Sequence, residues 1–366
     1  MITEETPHFT TKARPIPALT GLRAAAAYAV FLHHYNPAPP DTFANRLFAQ
    51  GYIGVSIFFV LSGFLIQYRY AGEGLMSGAW LWRPYLQNRF ARIFPLYALL
   101  LTGTTVVAVM MDRTMNWPLF GLNLTLLKGF FDQYTFSGIA QSWSLTVEAC
   151  FYAMAPLLFV ALRRWGALSL AAGLTGIGIS IWAILHQMDI TGGVTGGFFG
   201  SLPFVLFYTF FGRAFEFLLG MALARRWQQG RLPRFRFATV TGLVLVGTCV
   251  GWQAFVLTAT THANTLFWSE VGVYNYGLPI GIGILFAGLL RERTVLSRLL
   301  AQPIMQALGR SSYAFYLIHI GLLPRLLQKA GLADTAWLLF CLLIPIAHGL
   351  YAWVEKPLNR WFRSVY

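Results

Sequence analysis

The chain has 366 residues, of which 57% are hydrophobic, 16% aromatic and only 11% charged, and its mean hydropathy is +0.58. Soluble domains carry about a quarter of their residues as charges, so this composition excludes an ordinary soluble protein and points to a polytopic membrane protein. The formal charge of +14 does not indicate a nucleic-acid partner, because the Arg and Lys residues stand in clumps between hydrophobic blocks, as in loops on the cytoplasmic side of a membrane.

Residues 1–17 are polar and are expected to form a cytoplasmic N-terminal segment without a cleavable signal peptide, so that the first helix stays as an anchor. Apolar stretches of the roughly 18 to 25 residues that span a bilayer core number about ten. They fall near 18–36, 52–70, 93–111, 141–162, 167–186, 203–224, 237–258, 270–290, 308–327 and 335–355. With the N-terminus inside, one set of connections holds Arg69, Arg83, Arg89 and Arg92, then Arg163 and Arg164, then Arg225, Arg226, Arg231, Arg234 and Arg236, then Arg291, Arg293 and Arg298. The opposite set holds only Arg46, Arg113, Lys128 and Lys329, with Arg325 near a span end. This asymmetry predicts an all-α bundle of about ten transmembrane helices with both termini cytoplasmic. It leaves one membrane domain, 18–357, and a short cytoplasmic tail, 358–366. The longest outer connection, Asp112 to Ala140, is long enough to re-enter the membrane or cover a cavity, and the Gly-rich stretch Thr191 to Gly200 reads as a flexible outer turn.

Ionisable residues inside spans are costly and usually face a cavity or a partner. In the first span Arg23 and His34 are 11 residues apart, which puts them on one helical face about 16 Å apart along the axis. In the fourth, Glu148 lies roughly 10 Å from the outer end, a depth similar to that of His34. Two readings stand: a base-plus-orienter pair in which Glu148 holds the imidazole tautomer, or a structural hydrogen bond between helices. In the ninth span Ser312, Tyr316 and His319 share a face, with His319 expected near mid-membrane. Arg89 and Arg92 precede a helix expected to open at Ile93 with Pro95 in its first turn. They suit a phosphate or pyrophosphate at that N-terminus, or equally mark the cytoplasmic side and bind anionic lipid. Gly54, Ser62 and Gly63 suit close helix packing in the second span, with Ser62 bonded to a backbone carbonyl. Arg213 and Glu216 are expected to neutralise one another, and Glu355 to pair with a cytoplasmic arginine. Cys150, Cys249 and Cys341 lie in apolar runs without CxxC spacing, so neither a metal site nor a disulfide is expected.

Taken in order, Arg23 with His34, FFVLSGF (Phe58 to Phe64), the Arg89-x-x-Arg92 pair, WSLTVE (Trp143 to Glu148), SYAFYLIH (Ser312 to His319) and Glu355-Lys-Pro357 resemble the acyltransferase 3 family of bacterial integral-membrane acyltransferases. The resemblance covers Leu19 to Pro357. It implies an acyl-CoA-dependent O-acetyltransferase of the bacterial inner membrane that moves acetyl from cytoplasmic acetyl-CoA to a hydroxyl of an extracytoplasmic or lipid-linked glycan such as an exopolysaccharide. It also implies essential roles for Arg23, His34, Arg89 and Arg92. Some family members carry a further extracytoplasmic domain; none is expected after this membrane part, so any second transfer step is expected to need a separate protein or not to occur.

On this reading His34 is the general base, Glu148 its orienter, and Arg23 holds the donor arm. Arg89 and Arg92 bind acyl-CoA, and Ser62, Tyr316 and His319 are candidates for the oxyanion or acceptor site. No metal is required, and membrane lipid is the other expected contact. Direct transfer and a covalent acyl-histidine remain open at the level of sequence, as does a different class of function: a secondary transporter or flippase for a sugar-containing substrate.

Overall fold

The computed structural model of the protein describes residues 15–71, 82–111, 114–190, 192, 196–232 and 236–364. These form helices and turns without a strand, a single β-bridge joining Phe131 to Phe198. The main helices are α1 (Pro17–His34), α2 (Ile53–Tyr70), α3 (Trp82–Met110), α4 (Trp143–Trp165), α5 (Ala167–Gln187), α6 (Leu202–Tyr208) and α7 (Ala214–Gln228). They continue with α8 (Ala238–Ala259), α9 (Ala263–Glu270), α10 (Leu278–Arg291), α11 (Pro303–Ile318), α12 (Leu322–Lys329), α13 (Ala336–Leu350) and α14 (Lys356–Ser364). Among the described residues, seven helical stretches are by themselves long and apolar enough to cross a membrane: Phe43–Tyr70, Pro84–Met110, Ala140–Trp165, Ala167–Gln187, Ala238–Ala259, Ala263–Arg291 and Ala336–Phe362. The fold is thus an all-α, multi-pass membrane bundle. The three other expected spans are helical too. The first is α1, of 18 residues; the stretch 203–224 is divided between α6 and α7; and 308–327 stops at Ile318 and resumes as α12 beyond Gly321. Gly321 has φ +103, which glycine adopts without a Cβ clash.

Local chemistry accounts for most boundaries. Proline occupies the first turn of α1, α6, α10 and α11, where its missing N–H is not needed. Ser201 and Thr335 cap α6 and α13 by accepting from the N–H of Phe204 and Leu338 at 3.2 Å each. The start of α8 is capped from a distance: the Glu292 carboxylate accepts from the N–H of Ala238 at 2.6 Å and of Thr239 at 2.9 Å.

One expected boundary is wrong. The third helix opens at Trp82, not at Ile93, so Pro95 lies inside it and Arg89 and Arg92 are well past its N-terminus. The hydropathy of the stretch reports only its apolar part, whereas the polar residues 82–92 continue the same helix. The helix tolerates Pro95 because the Ala91 carbonyl, whose i+4 donor the proline removes, accepts instead from Asn359 Nδ2 of α14 at 3.0 Å.

The core is built on backbone contact. A Cβ on Gly63 of α2 would fall 2.0 Å from the Phe217 carbonyl of α7, and one on Gly220 of α7 would fall 2.0 Å from the Val60 carbonyl of α2. The small residues of the second span therefore do let helices touch, as their pattern implies. Helices α1 and α11 run parallel, since their contacts advance together: Gly309 against Thr20, Arg23 to Ser312, Phe31 against Phe315, and His34 against His319. Arg23 thus sits toward the arginine-rich end of the bundle and both histidines at the far end. His319 immediately follows α11 and is not at mid-helix, because the helix stops there.

Candidate active site

Two cavities enter the bundle from opposite ends. The first, of about 270 Å³, is at the arginine-rich end and is lined by Arg23, Arg69, Arg89, Arg92 and Arg310, with Glu148 as its carboxylate. Arg23, Arg89 and Arg92 are each held by side chains of neighbouring helices. Arg23 Nε donates to Ser312 Oγ at 3.3 Å, and its guanidinium lies 5.7 Å from the centre of the Phe58 ring. Arg89 is buried; its Nη2 donates to Tyr70 Oη at 2.7 Å, and its guanidinium lies 4.8 Å from the Tyr70 ring and 5.6 Å from the Tyr152 ring. Arg92 forms a salt bridge to buried Glu355 at 2.9 Å, the partnership expected for Glu355.

Among the described residues, the salt bridges are Arg92 to Glu355 and Arg213 to Glu216. Arg23 and Arg89 therefore stand in the cavity wall without a carboxylate, and the buried Nε of Arg89 has no hydrogen-bond partner. A buried cation with an orphaned donor is costly unless something anionic or strongly accepting meets it. The cavity wall thus presents two guanidinium groups without a carboxylate partner among the described residues.

The Glu148 carboxylate accepts from Ser62 Oγ at 2.7 Å and from Tyr152 Oη. This corrects two expectations. Ser62 bonds a carboxylate rather than a backbone carbonyl, and Glu148 does not pair with His34. Glu148 belongs to the arginine-lined cavity, whereas His34 lines the other one. Its helix begins at Trp143, which sets Glu148 about 8 Å inside the helix end, while α1 ends at His34 itself. Equal depth counted along the sequence was not equal depth in the fold.

The second cavity, of about 370 Å³, opens at the far end and is lined by His33, His34, Gln141, Trp143 and Glu270 among others. Phe136 and Ala140 of the long outer connection lie in its wall, so that connection does cover a cavity; its first residues, Asp112 and Arg113, lie outside the described residues, as do Arg234 and Thr191. Buried Lys128 props this cover by donating to the carbonyls of Ser137 at 2.5 Å and Ile139 at 2.9 Å.

His34 is exposed in the cavity, and its ring centre is 5.2 Å from that of His319 and 4.7 Å from that of His33. Fully buried His319 approaches the Tyr316 carbonyl through Nδ1 at 2.7 Å. A carbonyl only accepts, so Nδ1 carries the proton and Nε2 of the neutral ring is an acceptor. That Nε2 is buried and unpartnered among the described residues. Sequence spacing did not bring the two histidines together, because they are 285 residues apart; only the parallel packing of α1 on α11 does.

Val55 and Tyr316 line both cavities. Tyr316 Oη donates to the Gln141 carbonyl at 3.1 Å and lies 2.9 Å from Ser144 Oγ, so the partition between the cavities is pinned to α4. Arg213 and Glu216 form the expected buried pair at 2.7 Å, and Arg213 also bonds Ser56 Oγ at 3.0 Å.

The bundle thus holds an arginine-lined cavity at one end and a histidine-lined cavity at the other, with Val55 and Tyr316 in the wall they share. The chain belongs to the acyltransferase 3 family, whose sequence profile, described as an acyltransferase domain, matches residues 16–353. The chain is 27% identical to a Bacillus subtilis (strain 168) protein whose name gives peptidoglycan O-acetyltransferase as a provisional assignment, over 98% of this chain and 57% of that one. It is 25% identical to the peptidoglycan O-acetyltransferase OatA of Listeria monocytogenes, over 83% of this chain and 49% of that one. A Staphylococcus aureus (strain COL) protein, named provisionally as an O-acetyltransferase, is 23% identical over 85% of this chain and 51% of its own. The chain thus spans about half the length of these relatives. No solved structure matches it.

Proposed function

We propose that the protein is a membrane O-acetyltransferase that takes acetyl from acetyl-CoA at its arginine-rich end and delivers it to a glycan hydroxyl at the far end. The observation that carries this reading is the pair of back-to-back cavities that share Val55 and Tyr316: Arg23 and Arg89, without a carboxylate partner among the described residues, suit a polyphosphate donor on one side, and an exposed histidine on the other suits a hydroxyl acceptor. The arginine-rich end then faces the cytoplasm. The names of the relatives support a glycan acceptor of the peptidoglycan type, presented at the outer surface of the inner membrane.

In this mechanism Arg89 meets donor phosphate through its orphaned Nε, Arg92 is held ready by Glu355, and Arg23 lines the path of the thioester arm. His34 accepts the acceptor's hydroxyl proton as the oxygen attacks the thioester carbonyl. The C–S bond breaks as the ester C–O bond forms, and the imidazolium returns the proton to the departing thiolate. His319, whose ring centre is 5.2 Å from that of His34, takes the orienting role in place of Glu148: a small turn of the His34 ring brings one of its nitrogens to the open Nε2 acceptor and leaves the other to act as base. Tyr316, at the junction, donates to the developing oxyanion by releasing the Gln141 carbonyl that its hydroxyl holds at 3.1 Å.

The test is acetyl transfer by the full chain reconstituted in proteoliposomes, with labelled acetyl-CoA inside and a glycan acceptor outside. Wild type is expected to label the glycan, and His34→Ala to lose at least about a hundredfold in rate, the contribution of a general base, while eluting as a folded protein. Glycan labelling by His34→Ala at the wild-type rate overturns the base assignment. Sugar carried across the vesicle without consumption of acetyl-CoA would instead establish transport.

A further inference from the structure

The far cavity contains a carboxylate that the mechanism does not use. Glu270 ends α9, and the next residues, Val271–Gly277, turn as a π-helix before α10 begins. π-Helical turns sacrifice regular hydrogen bonding and recur at functional sites. This one buries Tyr274 and Asn275 against Gln50 and the Leu206 carbonyl and leaves Glu270 half-buried in the cavity wall. Among the described residues the Glu270 carboxylate makes no hydrogen bond or ion pair. The nearby guanidinium of Arg213 is already neutralised by Glu216 at 2.7 Å, and His33 is engaged with the Ala49 carbonyl.

Also in the cavity wall are three rings from three parts of the chain. Tyr208 lies edge-on to Phe136 at 5.4 Å between centres and to Trp143 at 4.9 Å. Gln141 lines the cavity as well: its Nε2 is spent on the Leu317 carbonyl at 2.6 Å, and its buried Oε1 has no partner. On Arg213 the Nε is likewise a buried donor without a partner. The cavity thus offers two unused acceptors, one unused donor, an apolar aromatic wall and one uncompensated negative charge. Hydroxyl groups satisfy acceptors and donor alike, ring C–H faces suit the aromatic wall, and an anionic occupant would meet Glu270 with no unpaired arginine or lysine among the described lining residues to offset it.

We propose that Glu270, Gln141 and the Phe136, Tyr208 and Trp143 wall form a subsite that holds an uncharged sugar ring of the acceptor beside His34 and discriminates against acidic sugars. The inference rests on reading the far cavity as the acceptor side.

The test is direct binding to the full chain in detergent micelles, without acetyl-CoA, read by saturation-transfer NMR and calorimetry. The neutral probe is a β-1,4-linked N-acetylglucosamine tetramer and the acidic one a galacturonic acid tetramer. Wild type is expected to bind the neutral probe and not the acidic one. Glu270→Gln is expected to weaken neutral binding about tenfold or more, the cost of replacing charge-assisted by neutral hydrogen bonds, and to admit the acidic probe. Tyr208→Ala, which removes a ring and leaves Glu270 in place, is expected to weaken neutral binding to a similar degree and guards against a folding defect at Glu270. Equal neutral binding by wild type and both variants, binding of neither probe by wild type, or preference for the acidic probe would each overturn the subsite. Binding that depends on Glu270 without acetyl transfer supports the subsite while refuting the donor assignment; transfer that does not depend on Glu270 refutes the subsite alone.

Discussion

Arg89 offers the sharpest test of the donor cavity. It is only 7% exposed, bonds Tyr70 Oη at 2.7 Å, and keeps an Nε without a partner among the described residues. If that nitrogen meets a donor phosphate, Arg89→Lys preserves the charge but loses the planar fork, so one charge-assisted hydrogen bond disappears. Such a bond contributes about 1.5–3 kcal/mol, and about 1.4 kcal/mol is a factor of ten, so the KM for acetyl-CoA should rise roughly 10- to 100-fold. Arg89→Ala, which also removes the charge, should lose more. The assay compares acetyl-CoA with S-acetylpantetheine, which carries the same thioester without phosphates. Both variants should be impaired with acetyl-CoA and nearly indistinguishable from wild type with S-acetylpantetheine. Equal impairment with the two donors would refute phosphate recognition, and no impairment with either would leave Arg89 as a topological charge.

The Arg213–Glu216 pair is almost fully buried, so Glu216→Gln, which strands the guanidinium, should destabilise the folded protein by about 3–5 kcal/mol, whereas the apolar double variant Arg213→Met, Glu216→Leu should recover most of it; equal losses in urea unfolding in micelles would refute the pairing. Gly63→Ala forces a Cβ to within 2.0 Å of the Phe217 carbonyl and should lower stability by about 1–3 kcal/mol. Gly103→Ala, with nothing within 4 Å, should gain roughly 0.5–1 kcal/mol, and similar thermal midpoints for the two would contradict the close crossing of α2 on α7. Burial pushes the Lys128 ammonium down to about 7 from an ordinary 10.5. The unfolded chain therefore binds more protons between those values, and the lysine makes stability rise with pH across that window. Lys128→Met should remove that slope, as followed by thermal unfolding at several pH values.

Much of the architecture is legible in hydropathy and charge because a bilayer admits few solutions for the backbone. The apolar stretches fall on helices, two of them interrupted at 209–213 and 319–321, and the small residues of the second span do mark a close crossing. What escaped the sequence is depth and registry. The partnership of Glu148 rested on counting from stretch ends, but α4 begins at Trp143 and α1 stops at His34, so neighbours in the count became residents of different cavities. The start of α3 escaped because hydropathy falls where the helix leaves the apolar layer, although the helix does not stop there. Glu270 carried no signal of its own: a carboxylate at the edge of an apolar run looks like an ordinary span end, and a π-helical turn has no sequence signature in a stretch such as VGVYNYG.

The geometry also constrains which donor the proposed reaction can use. Arg23 and His34 lie about 16 Å apart along α1, and Arg89 and Arg92 flank the same cavity as Arg23, on the arginine-rich side of the partition formed by Val55 and Tyr316. A donor anchored by its anion at these arginines reaches His34 only if its acyl group is carried on a long, narrow arm able to pass Tyr316. Acetyl phosphate, whose phosphoryl and acetyl groups are directly joined, would hold its acetyl among the arginines and out of reach of the acceptor. It should therefore inhibit competitively against acetyl-CoA without labelling the glycan. Labelling by acetyl phosphate at a rate comparable to acetyl-CoA would mean that anion and acyl sites are contiguous, and the two-cavity mechanism would fall with it.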